Sequence, residues 1–143
     1  MLTIRQTRFG DLEVDEKRLL NFPEGLLGFP DQHDYVLLEH KPGSPFYWLQ
    51  SVDAPDLAFV MIDALLVKED FLEALAPSER EGFKGIEAGH KVVFALVTIP
   101  PGEVEKMTVN LLGPLLIDVQ KRIGKQVVLP NSGYSPRFPI TEK

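Results

Sequence analysis

A chain of 143 residues, 44% hydrophobic and 25% charged, has the make-up of a single globular domain with its own core. The absence of cysteine excludes disulfides and thiolate metal sites, and 21 acidic against 15 basic residues leave a net charge of −6 that disfavours binding to phosphate backbones. The N-terminal MLTIRQTRFGDLEVDE lacks the basic-then-apolar order of a signal peptide, and no run approaches the ~18 apolar residues of a membrane span, so a cytoplasmic location is expected.

Prolines and glycines cut the chain into short apolar segments, which predicts a mainly β fold, a small antiparallel barrel-like domain with one or two short helices. Leu2, Ile4 and Gln6 alternate with polar neighbours as a half-buried strand does, and Phe9-Gly10-Asp11 turns into a second strand at Leu12–Val14. Further strands are expected at Tyr35–Glu39, Phe46–Val52, Leu57–Ile62 and Val92–Ile99. Pro101-Gly102 has the residue order of a type II turn, with Val104–Leu111 as the returning arm. Leu115–Val119 and Gln126–Leu129 complete the set, with a turn near Gly124-Lys125.

One helix is predicted, because Val67, Phe71, Leu72 and Leu75 share a face at helical spacing. Glu69 and Asp70 fall in its first turn, Pro77 ends it, and Ser78–Glu81 has capping-box order for a short second helical turn. Residues 131–143 read as an irregular C-terminal tail.

No nucleotide-binding glycine loop or serine elbow is present, and no catalytic residue is assigned. His33 lies between Asp31 and Asp34, but His40 and His90 are distant, so no metal site or cofactor is expected. The informative segments are apolar. Phe22–Pro30 crowds Phe22, Leu26, Leu27 and Phe29 among two glycines and two prolines; it is either a plug for a barrel end or a docking patch. In Phe46–Ser51 both strand faces begin with aromatics, Phe46 and Trp48 on one and Tyr47 on the other, and Trp48 is assigned to core packing. Asn110, a polar amide in an apolar run, is assigned a structural hydrogen-bonding role.

Four stretches, FPEGLLGFPDQHDYVLL (22–38), PFYWLQSVDAPDLAFVM (45–61), TVNLLGPLLID (108–118) and GKQVVL (124–129), together resemble the FliW family of flagellar assembly factors. Leu27 departs from the pattern at a position where proline is expected in many members. The resemblance implies a non-enzymatic, monomeric β-barrel-like protein that binds flagellin in the cytoplasm before export. It also implies binding to CsrA, a small dimeric RNA-binding regulator, so that free flagellin and CsrA compete to set flagellin translation. Residues 1–80 carry 15 acids against 7 bases, and residues 81–143 carry 6 against 8. An acidic face of Glu69, Asp70 and Glu73, with Asp31 and Asp34, is therefore expected to meet CsrA and repel its RNA. Flagellin is expected on Leu26, Leu27, Phe29, Phe46 and Tyr47. Two rival readings, a small-ligand-binding barrel and an OB-like nucleic-acid-binding barrel, need converging polar groups or a basic surface; the sequence offers neither.

Overall fold

Apolar and polar residues alternate through Leu2, Thr3 and Ile4 and through Leu12, Glu13 and Val14, whereas 35–38, 58–62 and 92–97 are continuous apolar runs with residues packed on both faces. The computed structural model describes residues 2–86 and 89–140. Its strands are β1 (Leu2–Thr7), β2 (Gly10–Val14), β3 (Leu19–Asn21), β4 (Asp34–Glu39), β5 (Phe46–Ser51), β6 (Ala58–Asp63), β7 (Lys91–Thr98), β8 (Thr108–Val109), β9 (Leu115–Asp118), β10 (Ile123–Gln126) and β11 (Phe138–Pro139). Two four-residue α-helices, α1 (Ala64–Val67) and α2 (Pro77–Arg80), follow β6.

Seven strands close into a barrel in the order β7-β6-β5-β4-β3-β10-β9 and back to β7. Every pairing around it is antiparallel except β3 with β10, which meet in parallel at Asn21↔Ile123. The long β7 serves two neighbours on one edge: its first half pairs with β9, and its last residues pair with β8.

The barrel interior is filled from all sides. Leu20, Tyr35, Leu49, Met61, Phe94, Leu115 and Ile117 pack there with Phe22 and Leu26. Gly124 faces this interior because a Cβ there would lie 2.5 Å from the Phe22 ring; the strand can cross only without a side chain. The outer faces of β6, β7 and β9 carry a second core of Ile62, Val93, Ala95 and Leu116, covered by Phe71, Leu75, Phe83, Leu111 and Leu129. A third, small cluster lies where the β1–β2 hairpin packs Ile4 and Val14 on Val36.

The structure differs from the sequence reading at several points. Residues 67–75 do not form one helix: α1 ends at Val67, and Lys68–Leu75 runs as successive tight turns with bonds from Phe71 N to Lys68 O and from Ala74 N to Asp70 O. The helical spacing of Phe71, Leu72 and Leu75 is real, but tight turns place the same residues inward. Pro77 opens α2 at its first turn instead of ending a helix, and Ala76 caps it without a side-chain bond, so no capping box forms at Ser78. The returning arm after Gly102 is a 3₁₀ turn at Val104–Lys106 followed by the two-residue β8. Gly124-Lys125 lies inside β10, and the turn falls earlier, at Gln120–Arg122, where Asp118 Oδ1 accepts from Gln120 N and Lys121 N. A bulge between Ile4 and Thr7 turns Gln6 out to solvent and buries Thr7. Of the expected tail, residues 138–139 form β11 and Tyr134 stacks on Phe71 at 4.9 Å; residues 141–143 lie outside the described residues.

The Tyr35 side chain is fully buried, and its hydroxyl has no hydrogen-bond partner among the described residues. Burial pushes its pKa up to about 12. The folded state therefore holds the phenol proton more tightly than the unfolded chain does. Stability from this group is complete below about pH 10 and lost as pH rises toward 12. Tyr35→Phe is expected to leave the protein as stable or about 1 kcal/mol more stable at pH 7, and to flatten the alkaline decline. Urea denaturation between pH 7 and pH 11.5 checks both; an unchanged alkaline limb refutes the assignment.

Candidate docking surfaces

Phe22–Pro30 closes the end of the barrel where β3 finishes and β4 begins. Its two glycine-dependent turns come in sequence. Gly25 N bonds Phe22 O at 2.8 Å, with Gly25 at φ +68°; a Cβ there would lie 2.7 Å from the Phe29 carbonyl oxygen and from Pro30 Cα. Phe29 N then bonds Leu26 O at 2.8 Å, with Gly28 at φ +87° in the third position of a type II turn. The result divides the apolar residues. Phe22 and Leu26 are buried in the barrel, whereas Leu27 is 67% exposed and Phe29 is 38% exposed, edge-on to Phe59 at 5.4 Å.

Gln126 fixes this turn from across the chain. Its Oε1 accepts from Leu27 N at 2.9 Å, and its Nε2 donates to Gly113 O at 2.8 Å. The sequence reading missed this residue, although a glutamine between Lys125 and Val127 in an otherwise strand-like run was the available signal. Gln126→Leu is expected to cost about 1–2 kcal/mol and to loosen residues 26–29 without opening the barrel. Amide exchange at Leu27 and Phe29 should quicken while Leu49 and Met61 stay protected; uniform exchange across both groups would contradict the tether.

The acidic segment lies beyond α1. Glu69, Asp70 and Glu73 are exposed. Lys68 Nζ sits 2.9 Å from Asp70 Oδ1, and this ammonium holds the Asp70 carboxyl below the usual range. Arg80 secures the turn by donating from Nη2 to Glu73 O at 2.6 Å and from Nε to Leu72 O at 3.2 Å. From the tail, the Tyr134 hydroxyl donates to Phe71 O at 2.5 Å, and Asn131 N donates to Glu79 Oε2 at 3.0 Å. Asp31 and Asp34 stand elsewhere, at the plugged end of the barrel, where Asp34 Oδ1 accepts from Asn21 Nδ2 at 3.0 Å. The five carboxylates are thus spread over two regions.

The aromatic residues also separate. Phe46 packs on the outer core with Ile62 and Val97, and Tyr47 faces the barrel interior against Phe94 at 5.4 Å, toward the end opposite Leu27. Trp48 is half-buried on the outside of the barrel. The Arg8 guanidinium lies 4.4 Å from its ring, and Phe9 meets it edge-on at 5.1 Å, so Trp48 receives the tip of the β1–β2 hairpin. Asn110 Oδ1 accepts from Leu112 N at 3.0 Å and from Gly113 N at 2.9 Å, which turns the chain from β8 toward β9. His33 Nε2 donates to Pro30 O at 2.9 Å, inside the plug loop. Among the described residues, no group of three His, Asp or Glu side chains is placed to hold a metal ion, and no helix is long and apolar enough to cross a membrane.

Comparison with known proteins matches nearly the whole chain. The family model described as "FliW protein" matches residues 3–140. The flagellar assembly factor FliW of Natranaerobius thermophilus is 40% identical over 139 residues, covering 97% of this chain and 92% of the relative. That of Leptospira interrogans serovar Lai is 37% identical over 141 residues, covering 99% and 94%. A crystal structure of the flagellar assembly factor FliW superposes with a TM-score of 0.79 at 30% identity, covering 96% of each chain. The chain belongs to the FliW family of flagellar assembly factors.

Proposed function

We propose that this protein acts in the cytoplasm as a single, non-enzymatic, monomeric domain that binds flagellin before export and otherwise antagonises CsrA. No cofactor enters the reading, and nucleic acid is not contacted directly. The observation that carries it is the presence of two unlike surfaces on one small barrel: the rigid apolar turn bearing Leu27 and Phe29, and the acidic turn bearing Glu69, Asp70 and Glu73. Flagellin's terminal segments are disordered until they assemble and have apolar faces to offer such a turn. An acidic turn beside an RNA-binding surface repels RNA over about a Debye length, ~8 Å at physiological salt. Leu26 is removed from the contact set, because its side chain is 2% exposed and inside the barrel.

Calorimetry with purified CsrA and flagellin, separately and in competition, tests the reading. Tight binding of each, with flagellin displacing CsrA, is the expected result. Failure of the protein to bind either partner would overturn it.

A further inference from the structure

The two ends of the barrel are closed differently. One end holds the chain's own loop, with Phe22 and Leu26 inserted. The opposite end, where β4 and β6 finish and β5 and β7 begin, opens into a cleft of about 380 Å³. Its walls are the interior-facing side chains Leu37, Tyr47, Val92 and Phe94, and its rim carries Leu66 and Val119. Leu66 is 65% exposed and Val119 is 46% exposed, so two aliphatic side chains stand in solvent beside an apolar hollow. The hollow is shallow, because Met61, Leu115 and Ile117 beneath it are fully buried.

The one charged residue lining the cleft is Asp63, and its Oδ1 is already engaged as the cap of α1, accepting from Leu65 N at 2.9 Å. A small polar ligand would need several converging polar groups, which this lining does not supply. Apolar side chains of a macromolecule fit it.

The surrounding charge states which macromolecule. On the Leu66 side the chain runs directly into Glu69, Asp70 and Glu73, and Glu39 stands beside Tyr47 in register. Of the bases on this flank, Lys68 is ion-paired with Asp70, Arg80 is held on the carbonyls of Leu72 and Glu73, and Lys41 stands two residues past Glu39. On the Val119 side, Lys91 pairs in register with Asp118, and Lys121 follows two residues on. Acids outnumber bases on the first flank, and the second is mixed.

We propose that the open barrel mouth is a docking socket for a basic amphipathic segment of a protein partner. Its apolar ridge inserts between Leu66 and Val119, and its lysines or arginines lie along the turn at 69–73. This rests on the reading that the acidic turn meets a cationic partner, and it adds the apolar half of that site. Coulombic attraction alone at an exposed turn is weak and screened, so the apolar insertion supplies most of the affinity.

The probe is a fluorescently labelled helical peptide of leucine and lysine, about 18 residues or five turns long, beside its leucine–glutamate counterpart. Anisotropy gives affinity, and amide NMR shifts give location. The lysine peptide is expected to bind about tenfold or more tightly than the glutamate one, and to shift Tyr47, Val92, Phe94 and Val119. Leu66→Asp and, separately, Val119→Asp should each weaken binding about tenfold while leaving the spectrum folded. Glu69→Lys with Glu73→Lys should weaken it too. If charge reversal abolishes binding but both aspartate variants are silent, the socket is wrong and the acidic reading stands. If the aspartate variants abolish binding but charge reversal is silent, the stated partner chemistry is wrong. Shifts confined to other surfaces, or no binding at all, also overturn the proposal.

Discussion

Leu26→Asp is expected to abolish the folded state, and Leu27→Asp, one residue on, to leave it intact while removing flagellin binding. Leu26 is 2% exposed among Leu20, Phe22 and Tyr35. Truncating a buried leucine costs about 2–5 kcal/mol, and an unpaired carboxylate in its place costs more. Set against a total stability of about 5–15 kcal/mol, that loss leaves little folded protein at 37 °C. Leu27 is 67% exposed, and its backbone N–H, not its side chain, is what Gln126 holds. The substitution therefore spares the fold and puts a charge at the tip of the apolar turn. Circular dichroism with thermal melting separates the two variants, and calorimetry with flagellin reads Leu27→Asp. Unchanged flagellin affinity in folded Leu27→Asp would remove the turn from the binding surface.

Reversing Glu69, Asp70 and Glu73 together to lysine is expected to cost most of the inhibition of CsrA–RNA binding. All three side chains are exposed, and the turn that carries them is held by main-chain bonds, by Arg80 and by Tyr134. The fold therefore tolerates the change, with melting temperature falling by only a few degrees. The Lys68–Asp70 ion pair is lost, and an exposed pair, screened by water and salt, contributes little. Association of charged partners slows about 10- to 100-fold when a steering patch changes sign, and the difference shrinks with added salt. Competition assays with flagellin messenger RNA at 50 mM and 300 mM salt would show the wild-type and variant curves converging at the higher salt. Equal inhibition by both proteins at low salt would remove this turn from the mechanism.

Much of the fold was legible where one physical signal dominated. β4, β5, β6 and β7 are rich in β-branched and aromatic residues, β9 is the aliphatic run that follows Gly113-Pro114, and their positions follow from that. The misread segments are those in which tertiary packing chose between local options. Phe71 and Leu75 need to reach the outer core, and tight turns achieve this as well as a helix would. β3 is three residues long, and β8 and β11 two each, too short for any period to register. The apolar loop was recognisable as special, yet its division into buried Leu26 and exposed Leu27 depends on Gly25 and Gly28 being at positive φ. Tyr47, Trp48 and Phe46 look alike in sequence. They face the interior, the hairpin tip and the outer core respectively, a distinction set by which strands flank β5.

The single parallel contact between β3 and β10 also sets a timetable for synthesis. β3 receives its second neighbour only when Ile123 has been made, some hundred residues after Asn21. The glutamine that holds Leu27 comes three residues later still. A nascent chain on the ribosome can pair β4 with β5 and β5 with β6 as they emerge, because those contacts are sequential. It cannot seal the cylinder or seat the plug loop until residues 123–126 have been translated. The apolar turn therefore acquires its rigid shape only after Gln126 has been made, and a chain terminated before that point lacks the strand that would present it.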